Sequence, residues 1–342
     1  MRKGRMQVAI VALALAASVT AAACSSDGGG AGAGGSAAGV SGDITVSGSS
    51  TVQPITSLVA ELFNEDNPDA HITVDGPGTS DGFVLFCKGE TDLQDASRTI
   101  EPEEKKACAK QGIDYVELEI ALDGITVMTN SQNAAVKCLN QGDLYALFGP
   151  ESEGFTSWSD ADALAQKVGG TGNFPDAPLE ITAPGQESGT YDAFIELSGI
   201  PDIAEQQGVP ESDRETLRKD YQASPNDNVI IQAMEGSPSA LGFVGFAFAD
   251  QAGDQVKKIS IDGGDGCVEP SKPTISDGSY PLSRSLYIYV NKSKMSSNPA
   301  LKSFVDFYTT DDGMKTAVTQ SDYIELPQDR IDQTRSTWQS AA

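Results

Sequence analysis

Three short runs in this chain combine small residues with Ser or Thr hydroxyls: Ser49-Ser50-Thr51, Gly78-Thr79-Ser80 and Ser188-Gly189-Thr190. Each follows a strand-like stretch and opens a helix-like one. A helix start leaves its first backbone N–H groups without intrahelical partners and carries a partial positive charge, and hydroxyls placed there donate further hydrogen bonds. Three such starts meeting in one cleft would wrap a small oxyanion. Taken singly, each is also an ordinary N-cap that needs no ligand. Their combination with glycines that admit close backbone approach, and with Arg98 in Ala96-Ser97-Arg98-Thr99, favours anion binding.

Hydrophobic periodicity outlines the elements that must position these residues. A strand at 44–46 ends in Ser47-Gly48, and Val52, Ile55, Leu58, Val59, Leu62 and Phe63 then fall at helical spacing over 51–64. A strand at 71–74 turns through Asp75-Gly76-Pro77-Gly78 into a helix-like 83–87; 91–96 leads to Arg98, and 101–110 is a polar-faced helix begun by Pro102. The run 115–129 is long for one strand and carries Asp123-Gly124 in its middle, which suits a crossing between lobes. Helices at 139–148 and 161–167 follow, then a strand at 179–182 that ends at the third Ser/Thr start, whose helix buries Phe194, Ile195 and Leu197. A short helix at 229–234 and an apolar strand at 240–248 precede a second crossing at 279–290, and helices at 299–308 and 329–340 close the chain. The expected fold is α/β, two α/β lobes joined by a two-strand hinge with the ligand cleft between them. Residues 43–122 begin lobe one, 123–279 form lobe two, and 280–342 return to lobe one.

The N-terminus is an export signal over 1–23: Met1-Arg2-Lys3-Gly4-Arg5 is basic, the following apolar stretch is too short to span a membrane, and Ala21-Ala22-Ala23 precedes Cys24. That cysteine resembles the lipidation site of bacterial lipoproteins. Residues 24–42 are rich in Gly, Ala and Ser and are expected to act as a flexible tether. The roughly 300 residues beyond it exceed one ordinary hydrophobic core, hence the two lobes. A formal charge of −26 argues against nucleic acid and anionic membrane surfaces as partners, and membrane association is expected only through the lipid anchor. The charge does not exclude an anion ligand, because donors within a few ångströms govern a buried site. With Cys24 assigned to lipid, Cys87, Cys108, Cys138 and Cys267 remain, an even number in an exported chain, which favours disulfides. One histidine and no close CxxC pair argue against a metal site, and no cofactor motif is present.

Enzyme chemistry finds little support. His71 is the only histidine, and it stands inside an expected strand. Ser188 lies in Gly185-Gln186-Glu187-Ser188-Gly189, which is not a GxSxG elbow, and there is no phosphate loop of the GxxxxGK[ST] type. A hydrolase stays the alternative of a different class.

The sequence Gly48-Ser49-Ser50-Thr51-Val52-Gln53-Pro54-Ile55, with Gly78-Thr79-Ser80-Asp81-Gly82-Phe83, Ala96-Ser97-Arg98 and Ser188-Gly189-Thr190, resembles the phosphate-binding lipoproteins of bacterial ABC phosphate importers. The similarity extends to Ala240-Leu241-Gly242-Phe243-Val244-Gly245-Phe246-Ala247 and Tyr280-Pro281-Leu282-Ser283-Arg284. It implies a type II periplasmic-binding-protein fold with phosphate dehydrated between the lobes. It carries over Thr51 with the Val52 N–H, Thr79 and the Ser188-Gly189-Thr190 turn as ligand groups, beside which Ser50 and Ser80 stand. Two positions depart from the family pattern. Well-known members have an aspartate at the place of Arg98, and their arginine lies where this chain has Pro184. Arg98 is therefore expected to be the main positive charge facing the anion.

The missing aspartate bears on selectivity. Phosphate near neutral pH keeps a proton and sulfate does not, so a buried acceptor favours phosphate. Glu187 is the expected acceptor, Asp123 the second candidate and Asp227 a third. Cys87 is expected to pair with Cys108 and Cys138 with Cys267, each within one lobe, since a bridge between lobes would restrain closure. The expected protein is a monomeric, lipid-anchored binder on the outer face of the cytoplasmic membrane that captures inorganic phosphate and hands it to ABC permease subunits. The alternatives are a binder of another tetrahedral oxyanion such as sulfate, or a hydrolase or surface-interaction protein on the same scaffold.

Overall fold

The computed structural model describes residues 39–186 and 188–342. The expected signal peptide, Cys24, the tether up to residue 38 and Glu187 lie outside the described residues. The strands, in chain order, are β1 (Gly42–Gly48), β2 (Ala70–Asp75), β3 (Leu93–Ala96), β4 (Tyr115–Asn130), β5 (Cys138–Asn140), β6 (Glu180–Ala183), β7 (Gln222–Ala223), β8 (Ala240–Gly245), β9 (Val256–Lys258), β10 (Ser260–Asp262), β11 (Cys267–Val268) and β12 (Ser283–Asn291). Nine of them form one sheet in the order β2-β1-β3-β12-β4-β8-β6-β7, with β9 also on β4, and β11-β10-β5 form a second sheet.

The expected crossings are β4 and β12, and they pair with each other antiparallel from Ser283↔Gly124 to Asn291↔Tyr115, with a register shift between Leu286 and Tyr287. At the usual rise of about 3.3 Å per residue β4 extends for about 50 Å, long enough to serve two cores. Its first half contributes Val116, Leu118 and Ile120 to a cluster with Ile44, Val59, Phe63, Ile288 and Phe304. Its second half contributes Ile125 and Val127 to a cluster with Phe148, Trp158, Phe194 and Phe243. Met128 joins a smaller cluster around Ile230, Met234 and Val244. This is the two-lobed α/β architecture expected, with one addition. The C-terminal segment also crosses: Ile324 exchanges backbone hydrogen bonds with Leu122 at 2.9 and 3.0 Å, and Ile324, Leu326 and Ile331 pack into the second core while Val318 and Trp338 pack into the first.

Parallel β2-β1-β3 pairing puts the C-terminal ends of these strands, and the loops beyond them, on one edge. Gly48 ends β1 at φ 147°, and a Cβ there would lie 2.0 Å from the Asp95 carbonyl oxygen. Only glycine lets the chain turn into the Ser49 loop at that place.

Two elements differ from their expected form. The apolar run 240–248 is a strand only to Gly245; Phe246–Ala252 is a helix that buries Phe246, Ala249 and Ala252 at a spacing of three. A continuous apolar run does not distinguish the two states. Leu139 belongs to β5, and the helix begins after Asn140, whose side chain accepts from the Asp143 N–H at 3.0 Å.

Both expected disulfides are present. Cys87–Cys108 ties the helix Thr79–Phe86 to the helix Pro102–Lys110, with Cα atoms 4.2 Å apart. Cys138–Cys267 joins β5 to β11 across β10, with Cα atoms 6.0 Å apart.

Candidate functional site

Beyond β1, the Ser49 N–H donates to the Asp95 carbonyl at 2.8 Å, and the Ser49 carbonyl accepts from Val52 and Gln53 as the helix Gln53–Asp66 begins. The Thr51 N–H donates to Ser49 Oγ at 3.2 Å, and Val52 is fully buried with its N–H in the turn. The second start is tied inward: Thr79 Oγ1 shares a hydrogen with Ser97 Oγ at 2.9 Å and accepts from the Ser97 N–H. Ser80 Oγ accepts from Arg98 Nη2 at 2.9 Å. The third start is a helix N-cap, with Ser188 Oγ accepting from the Thr190 N–H at 3.2 Å at the head of Gly189–Ser198.

The loop of lobe one touches the helix of lobe two. Thr51 Oγ1 lies 3.4 Å from the Gly189 carbonyl, and a Cβ on Gly189 would come within 3.3 Å of the Ser50 carbonyl oxygen. Ser50 Oγ donates to Asp192 Oδ2 at 2.7 Å. One turn further along the same helix face, Glu196 Oε2 accepts from Arg284 Nη1. Ser188, Asp192 and Glu196 recur at intervals of four and so share that face.

Arg284, on β12, is where these contacts meet. Its side chain is 8% exposed; Nη2 donates to Thr51 Oγ1 at 2.9 Å, Nη1 meets Glu196, and Nε stands 3.4 Å from Asp123 Oδ2. Arg284 and Asp123 are also register partners in the β12/β4 pair. Asp123 is 5% exposed, and burial holds its carboxyl above its ordinary value against the opposing pull of Arg284. Neither Asp123 Oδ2 nor Arg284 Nε has a hydrogen-bond partner among the described residues. The two atoms face each other as a buried ion pair.

Of the expected site residues, Ser50, Thr79, Ser80 and Arg98 line one cavity of about 950 Å³, together with Asp192, Glu196 and Arg284. Thr51 and Gly189 reach it through the contacts above. Arg98 is committed within lobe one: Nη1 and Nη2 each donate to a Glu104 carboxylate oxygen at 2.8 Å, and its guanidinium lies 5.7 Å from the Phe83 ring centre. Glu104 holds the Arg98 guanidinium in its charged form. Asp227 starts the helix Asp227–Gly236, where burial raises its carboxyl and Asp322 adds to the effect. His71 is exposed on the edge strand β2, away from the residues lining the cavity.

Sequence reasoning did not assign Arg284, Asp192 or Glu196 to the site. The spacing of four from Ser188 to Asp192 and Glu196 was a usable signal. So was an arginine near the start of the second crossing.

The PBP superfamily domain model matches residues 33–312. Protein SphX of Synechocystis is 38% identical over 291 residues, which cover 84% of this chain and 80% of the relative. The phosphate-binding protein PstS of Staphylococcus haemolyticus is 32% identical over 290 residues, covering 84% of this chain and 83% of the relative. The crystal structure of a possible phosphate binding protein from Planctomyces limnophilus superposes with a TM-score of 0.78 at 33% identity, covering 88% of this chain and 99% of that one. With the two-lobed sheet, the Ser/Thr helix starts and the buried arginine between the lobes, these matches show that the chain belongs to the PBP superfamily and, within it, to the family of SphX and the phosphate-binding protein PstS.

Proposed function

We propose that this protein captures inorganic phosphate outside the cytoplasmic membrane, as a lipid-anchored monomer held through Cys24, and delivers it to the permease of an ABC importer without catalysing a reaction. Lobe one, 43–122 with most of 280–342, and lobe two, 123–279 with the return of 324–331, would close on the anion between them. The observation that carries the reading is the buried guanidinium of Arg284, joined to Thr51 and facing Asp123 at the junction of the lobes. Relatives named for phosphate binding support the choice of anion.

In this reading Arg284 supplies the leading positive charge, with Arg98 on the cavity wall. The anion's remaining oxygens take donors from Ser50, Thr51, the Val52 N–H, Thr79, Ser80 and the Ser188-Gly189-Thr190 start. Asp123 accepts the phosphate proton and repels sulfate, with Glu187, outside the described residues, as the other candidate acceptor. Calorimetric titration of the soluble domain with phosphate and sulfate tests this. Arg284→Ala should weaken phosphate binding about a hundredfold or more, since the desolvated anion loses its charged partner, and Arg284→Lys should recover only part. Unchanged phosphate affinity in a folded Arg284→Ala protein would refute the assignment.

A further inference from the structure

Two carboxylates of lobe two occupy donors that belong to the cleft. Asp192 accepts from Ser50 Oγ at 2.7 Å, and Glu196 accepts from Arg284 Nη1. Both acceptors sit on one face of the helix Gly189–Ser198, and both donors sit on the opposing loop and on the hinge strand β12. A phosphate dianion in this cleft would seek these same donors. We infer that Asp192 and Glu196 act as a built-in substitute anion, holding the lobes together by the ligand's own donors and competing with phosphate for Arg284 and Ser50. The inference rests on the proposed phosphate site and adds to it two residues that set affinity rather than supply ligand contacts.

The size of the effect follows from exposure. The Glu196 side chain is 51% exposed while that of Arg284 is 8% exposed, so solvent screens one end of the pair. A contact of this kind is weak, and it holds only part of the population in the self-satisfied form. Apparent affinity falls by the fraction of molecules able to accept the ligand. Removing one carboxylate should therefore tighten phosphate binding about threefold to tenfold. Loss of a group that merely oriented Arg284 for phosphate would have the opposite sign.

The test uses Glu196→Gln, Asp192→Asn and the double variant of the soluble domain, with two readouts. The first is the dissociation constant for inorganic phosphate, expected to fall in each single variant and further in the double. The second is the radius of gyration by small-angle scattering in phosphate-free buffer, expected to rise in the variants and to return to the wild-type value at saturating phosphate. Affinity weakened or unchanged in both single variants overturns the inference, as does an unchanged phosphate-free envelope. Failure of the underlying reading gives a different pattern: Arg284→Ala then leaves phosphate affinity intact, whatever the carboxylate variants do.

Discussion

Arg284 and Asp123 stand opposite each other in the register of β12 and β4, so the cleft's buried cation and its buried carboxylate are held by the two strands that join the lobes. Nε of the one stands 3.4 Å from Oδ2 of the other, both out of solvent.

Asp123→Asn should erode the preference for phosphate over sulfate. The amide keeps the shape but adds a donor, so repulsion toward sulfate is relieved while the acceptor for the phosphate proton is weakened. A hydrogen bond to a charged group is worth about 1.5 to 3 kcal/mol, so the preference should drop by about tenfold to a hundredfold. Paired titrations with the two anions measure it, and Glu187→Gln in parallel should change the ratio less. Burial raises the Asp123 carboxyl, so acidification should protonate it sooner than an ordinary aspartate and move the wild-type ratio in the same direction.

Asp95 should make stability fall as pH rises. It is fully buried in β3; its Oδ1 accepts from Thr56 Oγ1 at 3.0 Å, Oδ2 has no hydrogen-bond partner among the described residues, and burial pushes the carboxyl up to about 8 against the effect of that bond. The folded state thus binds the proton more tightly than the unfolded chain. The resulting stability is fully present below the ordinary carboxylate range, falls by about 1.4 kcal/mol per pH unit through neutrality, and is gone above the folded value. Asp95→Asn should flatten that slope in denaturant titrations run between about pH 5 and about pH 8.

Breaking the bridge in lobe two with Cys138→Ser and Cys267→Ser should lower stability by about 2 to 4 kcal/mol. The tryptophans allow the loss to be located, since Trp158 lies in the second core and Trp338 in the first. In Trp338→Phe protein the remaining fluorescence reports lobe two, and its transition should shift to lower denaturant when the bridge is absent. The transition seen by Trp338 in Trp158→Phe protein should shift less.

Gly48→Ala should cost about 2 to 4 kcal/mol, because the added methyl meets backbone and the φ suits glycine alone. Chemical denaturation measures the cost. The same change should weaken phosphate binding, since it displaces the loop that carries Ser50 and Thr51.

Much of this molecule was legible from local pattern. The crossing at β4 announced itself by being too long for one core and by Asp123-Gly124 at its middle. The three Ser/Thr starts were visible because strand, small residue and helix succeed one another within a few positions. What the pattern could not supply was partnership between distant residues. Arg98 and Arg284 each carry the same charge, and only the tertiary arrangement shows that Glu104 takes both terminal nitrogens of the first while the second stands between the lobes. The return of Ile324 and Leu326 to the second core was hidden for the same reason: a segment lacking strong periodicity gives no hint of which core it fills.

The place of β12 between β3 and β4 has a consequence for the order in which the lobes are completed. Every strand of lobe two, with both cysteines of its bridge, has emerged by Val268, whereas the central strand of lobe one is not made until Ser283–Asn291. As the chain emerges from its N-terminus, β3 keeps one edge unpaired while β4 and the other strands of the second lobe are already available. An open edge of this kind invites pairing with other chains. The first lobe to begin thus waits for a late strand to complete its sheet, and that strand also delivers Arg284, so the anion site cannot form until β12 is in place.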